Sequence, residues 1–175
     1  MRVSIENIVA RCNVHGDMDL EEISNKIEGS RYQKDVMDGI IYRMKEPECD
    51  IFLLGDGMIK VHGLTNLKDV QKAVSQFGDR IKSSGIDLEM DGECETVEVV
   101  ASTKIDPIDP KLIYDTFRED GIVYNPQELP GFILRMGKEN TTVLIFPSGK
   151  IVCKGAKNMG DAVSAIDMVV EALKD

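Results

Sequence analysis

Two histidines, four cysteines and thirty-one acidic residues are the side chains of this 175-residue sequence with the widest chemical repertoire. His15 and His62 sit in no Ser–His–Asp, Cys–His or HExxH arrangement, so neither nucleophilic nor zinc-assisted hydrolysis is signalled. On base rates both are surface or satisfied polar residues. Cys12, Cys49, Cys94 and Cys153 are widely spaced with no CxxC, which signals neither a zinc site nor a redox pair and predicts buried free thiols in a reducing compartment. Gly55-Asp56-Gly57 is not followed by the Gly-Lys-Ser/Thr of a phosphate loop. The two Asp-Pro steps in Ile105–Pro110 are turn chemistry. Carboxylates suited to general acid–base work are plentiful, but nothing organises them. The expectation is a protein that is not an enzyme and holds no metal and no cofactor.

The formal net charge is −10. Taken alone it argues against nucleic acid, because phosphate binding draws on excess Lys and Arg. A local basic face can still exist inside an acidic total. Hydrophobic residues make up 42% and charged residues 30%, the profile of a globular protein. No apolar run approaches the ~18 residues of a membrane span, so no membrane partner is expected. The opening MRVSIENIVARC lacks the apolar core of a signal peptide, so a cytoplasmic protein is expected.

The elements that must position these side chains come in duplicate. Comparing each residue with the one 92 positions later gives eleven identities between positions 32 and 75, among them Tyr32/Tyr124, Gly39/Gly131, Ile41/Ile133, Arg43/Arg135, Gly57/Gly149, Gly63/Gly155 and Asn66/Asn158. Matching at composition frequency would give about three. The N-terminal segments match at 91 instead, Ile8-Val9-Ala10 meeting Val99-Val100-Ala101, so one residue is inserted near the first loop. Each half opens on a strand, Val3–Cys12 or Thr96–Thr103. A short helix follows near Leu20–Ile27 or Lys111–Phe117, then strands broken at Gly55-Asp56-Gly57 or Pro147-Ser148-Gly149. Apolar residues at helical spacing close each half, Leu67–Ile81 and Asp161–Leu173. The fold class is therefore α+β, a tandem duplication with an antiparallel sheet and helices on one face. The repeats fall at about 1–88 and 92–175, with the acid-rich stretch Asp87–Glu98 as a solvated linker. Halves of this kind can fuse their sheets edge to edge, and an uncovered sheet face must be polar, or apolar for a reason.

Two segments carry a family resemblance. Tyr124-Asn125-Pro126-Gln127-Glu128-Leu129-Pro130-Gly131-Phe132-Ile133-Leu134-Arg135 and Leu144-Ile145-Phe146-Pro147-Ser148-Gly149-Lys150-Ile151-Val152-Cys153-Lys154-Gly155-Ala156-Lys157 resemble the core of the TATA-box-binding protein family. Weaker copies stand at Tyr32–Arg43 and Leu53–Gly63, and Ile5–Ala10 fits the family's opening. With no N-terminal extension, the chain resembles the compact archaeal type. The resemblance implies a saddle with helices on its convex face and the concave sheet in the DNA minor groove. It implies a general or specialised transcription initiation factor that binds AT-rich promoter DNA, bends it and recruits a TFIIB-like factor.

Carried over residue by residue, the family's four wedge phenylalanines fall on Met37, Leu54, Leu129 and Phe146, so wedging is weakened but retained. The central asparagine pair falls on Asn7 and Glu98, and the paired threonines on His62 and Lys154. Val9, Val100 and Val152 fall on the DNA face, while Lys60 replaces an apolar residue there. Arg43 and Arg135 fit phosphate contacts. Lys150 and Lys157 keep family lysines whose first-half counterparts are Met58 and Thr65. Glu98 would aim an acceptor at a groove of acceptors. The resemblance also assigns Asn125, Gln127 and Glu128 to the loop that meets the TFIIB-like factor. Expected partners are thus double-stranded promoter DNA and that factor, with a homodimer left open. The alternative is a protein-interaction module or regulator whose DNA binding is weak or lost. On base rates Met37, Leu54 and Leu129 are core residues, and Lys60 and Lys154 solvated strand lysines.

Overall fold

A computed structural model describes residues 1–137 and 140–174. The elements run β1 (Ser4–Gly16), α1 (Leu20–Lys26), β2 (Ser30–Tyr32), β3 (Gly39–Lys45), β4 (Glu48–Leu54), β5 (Met58–Leu64), α2 (Leu67–Ser83), β6 (Leu88–Met90) and β7 (Glu95–Lys104). Then follow α3 (Pro110–Phe117), β8 (Val123–Tyr124), β9 (Phe132–Arg135), β10 (Thr142–Ile145), β11 (Lys150–Ala156) and α4 (Met159–Ala172). Contacts divide the chain into two compact units. One is Asn7–Val97; the other is Glu98–Asp175 with Met1–Glu6.

In the Asn7–Val97 unit the antiparallel strand order is β2-β3-β4-β5-β1, with β6 also on β1. In the other unit it is β8-β9-β10-β11-β7. Strand alternation sorts the side chains. In β4, Cys49, Ile51 and Leu53 are buried, while Asp50, Phe52 and Leu54 are half-exposed. In β11, Ile151, Cys153 and Ala156 are buried, while Lys150 and Lys154 are exposed. The buried sides meet helices. α2 packs on β5 and α4 on β11, through Val70, Ala73, Val74 and Phe77 in one case and Ala162, Ala165, Ile166 and Val169 in the other. Burying Ile59 or Ile151, each 0% exposed, contributes roughly 1.5–3 kcal/mol.

Both long helices start with the same device. Asn66 Oδ1 accepts from Asp69 N at 2.9 Å and Asn66 Nδ2 donates to Asp69 Oδ2 at 2.7 Å. Asn158 and Asp161 repeat this at 2.9 and 2.7 Å. That cap satisfies a free N–H of the first turn, and it starts α4 at Met159, two residues ahead of the expected Asp161. The acid-rich stretch is not only a linker. Leu88–Met90 pairs with Val14–Gly16, and Leu88 is buried. This pairing carries β1 beyond the expected end at Cys12, and residues 95–98 open β7.

Candidate nucleic-acid interface

Each unit presents the sheet face opposite its helices. In the second unit the cross-strand register arranges this face in rows. Arg135, Thr142 and Lys154 form one row, Ile133, Leu144, Val152 and Ser102 the next, and Lys150 and Lys104 a third. Directly paired residues share a face, so an apolar band of half-exposed Ile133, Leu144 and Val152 lies between rows of exposed cations. Arg135, Lys150, Lys154 and Lys104 form no ion pair among the described residues. Lys104 escaped the sequence reading. Its place two residues beyond Ser102 on the same strand face is the signal that could have found it.

The same rows in the first unit carry different chemistry. Arg43, Asp50 and His62 replace the first row, Ile41, Phe52, Lys60 and Arg11 the second, and Met58 and Asn13 the third. Here the two arginines are neutralised within the protein. Arg43 Nη2 reaches Glu48 at 2.8 Å and its Nη1 reaches Asp50 at 3.4 Å. Hydrogen bonding to Glu48, with the charge of Asp50, pushes the Arg43 guanidinium further above its usual value. Arg11 Nη2 lies 2.6 Å from Glu95. Phe52 meets the His62 ring edge to face, centroids 5.1 Å apart. Lys60, in the place of Val152, interrupts the apolar band that the second unit keeps, and Arg11 stands in the place of Ser102.

Asn7 and Glu98 occupy matching positions beside a β-bulge. The β1–β5 register shifts between Ile8 and Ala10, and the β11–β7 register shifts between Cys153 and Ala156. The bulged strand releases a backbone N–H from the ladder, at Gly63 (φ 100°) or Gly155 (φ 78°), a backbone region that favours glycine. The freed N–H is then taken by a side chain. Gly63 N donates to Asn7 Oδ1 at 2.7 Å, and Gly155 N donates to Glu98 Oε1 at 3.2 Å. Glu98 forms no ion pair with a lysine among the described residues; a backbone amide holds it instead. Val9 is nearly covered, at 8% exposure, whereas Val100 is half-exposed.

The apolar residues at the strand ends are neither core nor fully exposed. Met37, Leu54, Leu129 and Phe146 are all half-exposed. Leu54 and Phe146 lie flat over glycines: a Cβ on Gly39 would stand 2.9 Å from Leu54 Cδ2, and one on Gly131 would stand 2.9 Å from two atoms of the Phe146 ring. Glycine at both places is what allows these side chains to lie there. The preceding loops share one turn. Gln33 O accepts from Val36 N and Met37 N at 3.1 and 2.8 Å; Asn125 O accepts from Glu128 N and Leu129 N at 3.1 and 3.0 Å. Asn125, Gln127 and Glu128 are exposed on the second loop, with Asn125 Oδ1 accepting from Gln127 N at 3.3 Å. Lys157 is exposed just past β11.

The thiols are free. Cys12, Cys49 and Cys153 are buried as expected, but Cys94 is half-exposed. Burial pushes Cys49 and Cys153 up to about 11. A hydrogen bond between Cys12 and Cys94 raises the former and lowers the latter. Among the described residues no three His, Cys, Asp or Glu side chains gather to hold a metal ion, and no helix is long and apolar enough to cross a membrane.

These features define a tandemly duplicated α+β protein with one helix-free sheet face in each unit. The family described as "Transcription factor TFIID (or TATA-binding protein, TBP)" matches residues 2–84 and 93–175. The chain is 32% identical to a TATA-box-binding protein of Pyrobaculum neutrophilum, over 98% of this chain and 86% of the relative. It is 29% identical to one of Picrophilus torridus, over 99% and 95%. The structure of Methanococcus jannaschii TBP shares its fold, with a TM-score of 0.85 over 99% of both chains at 24% identity. The chain belongs to the TATA-box-binding protein family.

Proposed function

We propose that this protein is a transcription initiation factor that binds double-stranded promoter DNA in the minor groove through its helix-free sheet faces. It acts in the cytoplasm and recruits a TFIIB-like factor through the loop carrying Asn125, Gln127 and Glu128. The observation that carries the reading is the second-unit face, where the apolar band of Ile133, Leu144 and Val152 is flanked by Arg135, Lys154, Lys150 and Lys104. Apolar contact suits the sugar and base edges of the groove, and cations on either side suit the two phosphate backbones. Phe146 and Leu129 at one end, and Leu54 and Met37 at the other unit's equivalent, are the wedges that unstack base steps. Asn7, Val9, His62 and Arg43 serve the first unit, and Glu98, Val100 and Lys157 the second.

The test is a binding titration of an AT-rich duplex with fluorophores at its ends, at about 50 mM salt where phosphate contacts are strong. Saturable binding with shortened end-to-end distance is expected. Absence of binding at that salt would overturn the reading in favour of a protein-interaction module.

A further inference from the structure

The two bulge-capping side chains are tied by the same atom type but expose opposite hydrogen-bonding character. Asn7 uses Oδ1 for Gly63 N. A backbone N–H needs an acceptor, so this bond fixes the amide orientation and leaves Nδ2, a pair of donors, without a partner among the described residues. Glu98 uses Oε1 for Gly155 N. What remains is Oε2, which has no partner among the described residues and, in a carboxylate, only accepts. The minor groove of an A·T or T·A pair offers only acceptors, adenine N3 and thymine O2. A G·C pair adds one donor, the guanine N2 amine. Donors at Asn7 therefore match A·T pairs. An acceptor at Glu98 finds a partner in that groove only at guanine, and opposite A·T it loses hydration without replacement.

Resting on the proposed DNA-binding function, we infer that Glu98 is a specificity-determining residue that selects a G·C pair, through the guanine N2 amine, at the base step read by the second unit. The bulge makes this contact possible, because the Gly155 N–H holds the carboxylate in one orientation. Lys154, adjacent to that glycine and without an ion pair among the described residues, leaves the carboxylate uncompensated within the protein. The preferred site is then asymmetric: A·T-rich where Asn7 reads, interrupted by guanine where Glu98 reads.

Inosine isolates the contact, since an I·C pair differs from G·C by the N2 amine alone. Anisotropy titrations at one fixed salt would use an AT-rich duplex carrying G·C or I·C at each position in turn. The proteins are wild type, Glu98→Asn and Glu98→Gln, both substitutions retaining an acceptor for Gly155 N. At one position wild type should bind the G·C duplex about tenfold more tightly than the I·C duplex, the discrimination typical of one good base contact. Both variants should lose or reverse that ratio and prefer A·T there. If one variant fails to fold, as judged by its melting transition, the other decides. Should wild type bind these duplexes with no position where G·C exceeds I·C, Glu98 only caps the bulge and the inference falls while DNA binding stands. Should wild type bind none of them, both fall.

Discussion

Counter-ion release should separate the two units. Each phosphate neutralised by the protein contributes a slope of about −0.9 to log K against log salt, so a fourfold rise in salt weakens binding about 3.5-fold per contact. The second-unit face carries Arg135, Lys150, Lys154 and Lys104 without ion pairs among the described residues. Four such contacts give a slope near −3.6 and a loss of roughly 150-fold over that salt range. Lys154→Gln or Lys150→Gln should each flatten the slope by about 0.9. Arg43 is different, because Glu48 and Asp50 already hold its guanidinium at 2.8 and 3.4 Å. DNA phosphates must compete with those carboxylates, so Arg43→Gln should flatten the slope by well under half as much. The assay is a set of anisotropy titrations at five salt concentrations for each variant. Equal flattening by Arg43→Gln and Lys154→Gln would refute the idea that Arg43 is internally neutralised.

Phe146→Ala should nearly abolish DNA bending in the end-to-end distance assay and Leu54→Ala should reduce it less; Gly131→Ala, whose Cβ would stand 2.9 Å from the Phe146 ring, should impair bending by displacing that ring, and unaltered bending in Phe146→Ala would remove it from the wedges. Glu128→Lys should weaken ternary complex formation with a TFIIB-like factor several-fold more than Asp35→Lys in the equivalent first-unit loop; equal losses in gel shifts would count against the loop assignment. The hydrogen bond from Cys12 holds Cys94 below the ordinary thiol range, so its thiolate forms at lower pH than that of free cysteine, whereas Cys49 and Cys153 stay protonated until pH nears about 11. Alkylation followed by peptide mass spectrometry at pH 8 should therefore label Cys94 well ahead of both, and labelling of Cys49 at the same rate would contradict the geometry.

The duplication was legible because both halves keep the residues that local geometry demands. Gly57 and Gly149 sit at the same tight turn, and Asn66 and Asn158 cap the same helix. Helix spans were legible from the 3.6-residue period, which reflects burial of one face. The β6 pairing was not, because charged residues around Leu88 and Met90 mask a strand only three residues long. The role of Glu98 was half legible. Its register followed from the repeat, but its hydrogen bond to Gly155 depends on a bulge that no residue pattern announces. Charge neutralisation on the first face was equally hidden, since Arg43 meets Glu48 across a hairpin and Arg11 meets Glu95 at a separation of 84 residues.

Protection of lysines from reductive methylation, with and without an AT-rich duplex, measures most directly which surface meets DNA. Binding through the helix-free sheet faces predicts that Lys104, Lys150 and Lys154 are methylated several-fold more slowly in the complex, while Lys72 and Lys82 on α2 react at unchanged rates. Protection of Lys72 and Lys82 with Lys150 and Lys154 still reactive would contradict it.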